Sequence, residues 1–161
     1  MTDHVIRRAT AADLPSLGRL GATLMRVHYE FDHNRFMRPG GDPEGGYAAF
    51  LATQLDDPDC LVLVAERDSA VAGYVYAGIE PESWKELRER AGFIHDILVE
   101  QGNRRTGLAE ALIDGALDWL RDRGIPRVLL WSAAPNTAAQ RLFERKGFRT
   151  TMLEMTKELD S

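Results

Sequence analysis

Phe93-Ile94-His95-Asp96-Ile97-Leu98-Val99, the polar link Glu100 to Arg105, and the run Thr106-Gly107-Leu108-Ala109 together decide how the chain is read. The first segment is an apolar run of strand length. From Thr106 a helical period takes over, with Leu108, Ala111, Leu112, Gly115, Ala116, Trp119 and Leu120 on one face. The join between them is basic and small. The first amides of a helix lack partners within the helix and carry the positive end of its dipole. Gly107 and Ala109 keep bulk away from those amides, and Arg104 and Arg105 add planar cationic donors suited to phosphate. The join is therefore an anion site of the kind that cradles a pyrophosphate. It contains neither the Gly-x-Gly-x-x-Gly of a dinucleotide site nor the Gly-Lys-Ser/Thr of a P-loop.

Working outward, Val5 to Ala9 reads as a first strand. Thr10 and Asp13 then start a helix with the stripe Leu14, Leu17, Leu20, Leu24 and Val27, which runs out near His28 to His33. Asn34 to Gly46 is a Gly/Pro-rich loop, and Pro43 opens a second helix that ends at Asp56 to Asp59. Cys60 to Arg67 and Ala70 to Ile79 form a hairpin about Asp68-Ser69. Pro81 to Ala91 is a polar insertion with Trp84 and Leu87, read as one or two helical turns. After the long helix stops at Gly124, Val128 to Trp131 is a short apolar strand, and Thr137 to Lys146 is a helix stopped by Gly147. A last strand is expected within Phe148 to Leu159, with Leu153 and Met155 on one face and Met152 on the other.

The order is β-α-α-β-β-β-α-β-α-β. It predicts one domain over residues 1–161, of α/β class, with a single mixed and mostly antiparallel sheet flanked by helices on both faces. A length of 161 residues, with 44% hydrophobic and 28% charged residues, fits such a domain. The net charge of -5 argues against nucleic acid as a partner, and no apolar run is long enough to span a bilayer. The single cysteine, Cys60, reads as a small buried hydrophobe, and no metal is expected. The first residues lack a secretory h-region, so a cytoplasmic location is the expectation.

Arg104-x-x-Gly107-x-Ala109 after a strand ending in Val99 resembles the acyl-coenzyme A pyrophosphate loop of the GNAT family of N-acetyltransferases. A second stretch, Asn136-Thr-Ala-Ala-Gln-Arg-Leu-Phe143-Glu-Arg-Lys-Gly147-Phe148, is similar to that family's Asn-x-x-Ala-x-x-Leu-Tyr-x-Lys-x-Gly-Phe, with Arg145 in place of the lysine. The two motifs stand at the family's relative spacing. The resemblance implies acetyl transfer from acetyl-coenzyme A to a primary amine of a small molecule or peptide, by direct attack in a ternary complex. It also implies a cofactor site. Ile97, Leu98 and Val99 would bind the pantetheine arm as an added strand between two splayed parallel strands. Arg104, Arg105, Thr106, Gly107, Leu108 and Ala109 would hold the pyrophosphate, Asn136 would touch the arm, and Phe143 would line the thioester.

For chemistry, the amide of Leu98 or Val99 is the expected donor to the oxyanion. His95 aligns with a position often held by glutamate in amine-acetylating relatives and is the expected base, with Asp96 on the opposite strand face and Glu66 a weaker choice. Phe143 occupies the place where the family commonly has a tyrosine that protonates the leaving thiolate. Tyr29, Glu30, Asp32, His33 and Trp84 are the expected acceptor-binding residues. The alternative is an acyl-coenzyme A-binding module without turnover, to which Phe143 gives weight. Members of the family are often dimers, so a homodimer is allowed for, although no stretch singles out an interface.

Overall fold

A computed structural model describes residues 3–160. The chain runs β1 (His4–Arg8), α1 (Leu14–Phe31), α2 (Pro43–Leu55), β2 (Cys60–Arg67), β3 (Ala70–Glu80), β4 (Ala91–Val99), α3 (Leu108–Asp122), β5 (Val128–Leu130) and α4 (Thr137–Arg145). One sheet holds the strands in the order β1-β2-β3-β4-β5. The first four are antiparallel neighbours, and β5 lies parallel to β4.

Period-two alternation along β2 and β3 divides the core. Leu61, Leu63, Ala65, Val75, Ala77 and Ile79 face α3, whose Leu108, Leu112, Ile113, Ala116 and Leu120 are buried against them. Val62, Val64, Tyr74 and Tyr76 face the opposite side, where Leu17 and Leu20 of α1 and Leu51 of α2 cover them. The expected helices on both faces are there. Arg7 forks onto both carboxylate oxygens of Asp13 at 2.8 and 2.9 Å, and Asp13 also accepts the Thr10 N–H at 2.8 Å. This fixes the corner between β1 and α1, and the guanidinium holds the Asp13 carboxyl below its usual range.

Two expected elements are not formed. The Pro81–Ala91 insertion is not helical: Ser83 and Arg88 exchange backbone hydrogen bonds of 2.8 and 3.0 Å across a tight turn. The strand expected within Phe148–Leu159 finds no partner among the described residues. That segment keeps its alternating side chains but lies exposed and outside the sheet. A strand needs a neighbour to satisfy its ladder, and pattern alone does not provide one.

Close approach of α1 and α2 depends on small residues. A Cβ on Gly18 would lie 2.5 Å from the Glu44 carbonyl oxygen, and one on Gly21 would lie 2.0 Å from the Tyr47 ring. Gly21 thus lets the Tyr47 ring seat against α1. Gly21→Ala is expected to cost about 1–3 kcal/mol, as overpacking does, and to displace Tyr47. Urea unfolding checks the cost; an unchanged midpoint contradicts the packing.

Candidate active site

The two strands of the parallel pair part early. Only Gly92, Phe93 and Ile94 are matched with Val128, Leu129 and Leu130, while β4 continues to Val99. The direction of the freed groups follows from the ladder with β3. Glu100 N–H donates to the Ala72 carbonyl at 2.8 Å. Antiparallel hydrogen-bonded pairs alternate, so in the observed register Leu98 pairs this way with Tyr74, and Asp96 with Tyr76. The amides and carbonyls of Ile97 and Val99 therefore point the other way, into the gap beside β5. Leu98, expected to donate to an oxyanion, has its N–H committed to β3. The donors turned toward the gap are Ile97 and Val99.

At the gap's end lies the start of α3. Gly107 precedes the helix in the left-handed region, φ 84°, and Arg105 also has a positive φ of 62°. A Cβ on Gly107 would meet nothing within 4 Å, so open space lies against the backbone there. Among the described residues no side chain caps this end, and the backbone bond that crosses the join runs from the Ala111 N–H to the Gly107 carbonyl, 3.0 Å. Arg104 and Arg105 are exposed, and the Thr106 hydroxyl donates to the Asn103 carbonyl, bracing the turn. Bare amides, open space and two cations suit a pyrophosphate.

Between Tyr76 and Ala77 the register with β4 shifts, and His95 is the extra residue. Such a bulge re-aims side chains. The strict alternation that would send His95 and Asp96 to opposite faces is broken here, and both lie on the face covered by α1 and α2. His95 stacks on Phe93, with centroids 5.5 Å apart, and lies tilted against Tyr76 at 4.8 Å. Its Nε2 is 3.1 Å from Glu80 Oε1. Asp96 takes hydrogen bonds from the Tyr47 and Tyr74 hydroxyls, both at Oδ2, the second at 3.2 Å. Oδ1 has no hydrogen bond among the described residues. Burial raises the Asp96 pKa, and the two phenols oppose that rise. Burial also raises the pKa values of Tyr47 and Tyr74, so both are neutral donors near pH 7.

Cys60 is half-buried, and burial pushes its thiol up to about 11. Its Sγ donates to Gln54 Oε1 at 3.3 Å, and the Tyr76 hydroxyl reaches the same oxygen at 2.8 Å. A thiol held protonated is not a nucleophile.

The remaining expected residues are scattered. Asn136 caps α4 by accepting the Ala139 N–H at 3.3 Å. Phe143 is buried against the α3 side of the core, 6.1 Å from Phe148, and brings no hydroxyl. Tyr29 stacks on His33 at 4.4 Å and lies under the Arg38 guanidinium at 5.2 Å. Glu30 is exposed, 3.7 Å from His33 Nε2. Asp32 accepts the N–H groups of Asn34 and Arg35 at 3.0 and 3.2 Å, which occupies it in the turn after α1. Trp84 stands exposed at the tip of the β3–β4 turn, and Glu66 binds Arg7 at 3.2 Å, far along the sheet from β4. Glu80, Tyr47, Tyr74 and Tyr76 were not expected at the site. They arrive through the bulge and the α1–α2 packing, neither of which has a local sequence signal.

A mixed sheet opened at its one parallel pair, with a bare helix start at the opening, is the acetyltransferase fold. The aminoglycoside N-acetyltransferase AAC(6')-Iy in complex with CoA superposes with a TM-score of 0.76 at 18% identity, covering 100% of this chain and 97% of that one. A predicted acetyltransferase with acetyl-CoA from Clostridium acetobutylicum gives 0.72 at 16% identity, covering 95% and 96%. The family model for the acetyltransferase (GNAT) family matches residues 27–148. A mycothiol acetyltransferase from Cellulomonas flavigena is 33% identical over 96 residues, 58% of this chain and 28% of that protein. This chain thus spans less than half the length of the curated relatives it matches. It belongs to the GNAT family of acetyltransferases.

The Asp96 pKa is raised on folding, so its effect on stability has a definite sign. The folded state binds this proton more tightly than the unfolded chain, and stability falls as pH rises from about 4, the unfolded value, through the raised folded value. Asp96→Asn removes that loss. The difference in unfolding free energy between the two proteins is expected to shift in the variant's favour across that window. A difference independent of pH contradicts the raised Asp96 pKa.

Proposed function

We propose that this chain is an acetyl-coenzyme A-dependent N-acetyltransferase acting on a primary amine of a small molecule or peptide, by direct attack in a ternary complex. The observation that carries this reading is the early parting of β4 from β5 beside the bare start of α3. The free amides and carbonyls of Ile97 and Val99 suit the amide-rich pantetheine arm as an added strand. The first amides of α3, with Arg104 and Arg105, suit the pyrophosphate. When bound, acetyl-coenzyme A supplies an activated acetyl group whose thiol, with a pKa of about 8.5, leaves readily as thiolate near neutral pH. That suits a site with Phe143 in place of a proton donor.

The pyrophosphate end lies at α3, so the reacting end lies deeper, toward the bulge. Of the two amides turned into the gap, Ile97 is the deeper and is the donor to the carbonyl oxygen as it gains charge. His95 sits at the same level, oriented by Glu80, and takes the proton that the amine loses, directly or through water. Asp96, whose Oδ1 takes no hydrogen bond among the described residues, orients the amine. Glu80 and Asp96 together favour a cationic acceptor, and the aromatic rings of Phe93, Tyr76 and Trp131 on that face suit one as well. Tyr29, Glu30, Asp32, His33 and Trp84 are left as an outer rim. The protonated thiol of Cys60 argues against an acetyl-cysteine intermediate.

Incubation with acetyl-coenzyme A and a panel of amines is expected to release free thiol with at least one of them. Saturable cofactor binding with no thiol released from any amine favours the binding module. Arg104→Glu is expected to weaken cofactor binding by about tenfold or more, the scale of one charge-assisted hydrogen bond. Unchanged affinity in calorimetry contradicts the pyrophosphate assignment. His95→Ala is expected to lower kcat far more than cofactor affinity and to remove from the pH–rate profile the fall on the acidic side that protonation of a general base produces. An unaltered profile places the base elsewhere.

A further inference from the structure

A row of rings crosses the sheet at the level of the bulge. Phe50 of α2 meets Tyr76 of β3 with centroids 5.8 Å apart. Tyr76 lies 4.8 Å from His95, His95 lies 5.5 Å from Phe93, and Phe93 lies 6.1 Å from Trp131, just past β5. The rings follow the order of the strands that carry them, so His95 stands in the middle. The inner rings run close to parallel, with 31° between Tyr76 and His95 and 6° between His95 and Phe93. The end rings turn across them, Phe50 at 80° to Tyr76 and Trp131 at 88° to Phe93.

Burial divides the row into a floor and two ends. Tyr76 and Phe93 are buried, whereas Phe50 is 45% and Trp131 76% exposed. One large apolar side chain left in water is ordinary. Two open rings at the ends of one aromatic row, with an imidazole between them, form a surface for a flat apolar body. Another ring gains there from edge-to-face or offset contact as well as from burial.

Charge orients that body. Glu80 Oε1 lies 3.1 Å from His95 Nε2, and Asp96 Oδ1 takes no hydrogen bond among the described residues. Both carboxylates are beside the middle ring. Toward Trp131 the charge is opposite, because the Arg88 guanidinium lies over Phe93, 5.0 Å from its centroid. Arg88 is held there by Glu86 and by the carbonyls of Pro81 and Glu89. An ammonium is thus drawn to His95 and kept off the Trp131 end. A chain bearing a second cation would set that cation against Arg88.

We propose that the acceptor is a primary amine carried on an aromatic ring, with its ammonium beside Glu80, Asp96 and His95 and its ring against Trp131. Trp131 is then a specificity-determining residue. This deepens the acetyltransferase reading and rests on it for the chemistry; the row of rings supplies the class of acceptor.

The test reads binding apart from turnover. With coenzyme A present, the 15N-labelled protein is titrated with 2-phenylethylamine, propylamine and spermidine while the indole N–H signals are followed. The Trp131 signal is the one missing from Trp131→Phe. 2-Phenylethylamine is expected to shift that signal saturably and to bind about tenfold tighter than propylamine, the scale of one ring contact with its buried area. Spermidine is expected to leave the signal in place. Trp131 is exposed, so Trp131→Ala keeps its circular dichroism spectrum. It is expected to bind 2-phenylethylamine no better than propylamine, while Trp131→Phe keeps most of the preference. Three results overturn the proposal: a Trp131 signal unmoved by 2-phenylethylamine, tighter binding of either aliphatic amine, and a preference for the ring that survives in Trp131→Ala. Thiol release separates this outcome from that of the broader reading. Release with aliphatic amines alone keeps the acetyltransferase and overturns the aromatic acceptor. A ring preference with no thiol released from any amine supports the ring site and overturns the acetyltransferase.

Discussion

Beyond Ile94 and Leu130 two parallel strands that begin side by side separate, and the rest of the architecture serves that separation. A sheet interior does not leave backbone donors and acceptors open without a use, because each unmade hydrogen bond in a water-poor place is costly. Here the groups of Ile97 and Val99 are kept open by three constraints. The ladder with β3 fixes their direction. The buried side chains of Leu108, Leu112 and Leu120 hold α3 against the sheet at the level of the gap. The cap of Asn136 sets the start of α4 on the far side. The opening is thus built into the packing of both layers.

The same strand shapes the other face of the sheet. A one-residue bulge at His95 changes which groups share a side, bringing an imidazole and a carboxylate together where plain alternation would separate them. Tyr47 reaches the carboxylate because Gly21 lets its ring sit low on α1, and Tyr74 reaches it from the neighbouring strand. Glu80, at the end of β3, holds the imidazole. Packing of the first two helices and the placing of His95 and Asp96 are therefore one arrangement.

What the residues disclosed and what they withheld divide along local and non-local lines. The stripe of α3, the glycine before it and the arginines at its start are local signals, and the anion corner follows from them. The hairpin turn at Asp68-Ser69 is equally local, and both residues do adopt positive φ. The bulge has no such mark: Phe93 to Val99 is an unbroken strand-like run, and the slip exists only against β3. The same limit hid the fact that Leu98 faces β3 while Ile97 and Val99 face the gap. The tail shows it most plainly. Its alternation is legible in Thr151, Leu153 and Met155, but whether a strand forms depends on an edge that the segment itself does not encode.

The central claim is that the free edge of β4 and the start of α3 hold one extended, diphosphate-bearing thioester between them. Titrating the 15N-labelled protein with coenzyme A while following amide shifts tests it most directly. The account predicts large shifts at Ile97, Val99, Leu108, Ala109 and Glu110, with Leu98 moving little because its N–H is held by β3. Shifts confined to other parts of the fold, or a response at Leu98 without one at Ile97 and Val99, contradict it.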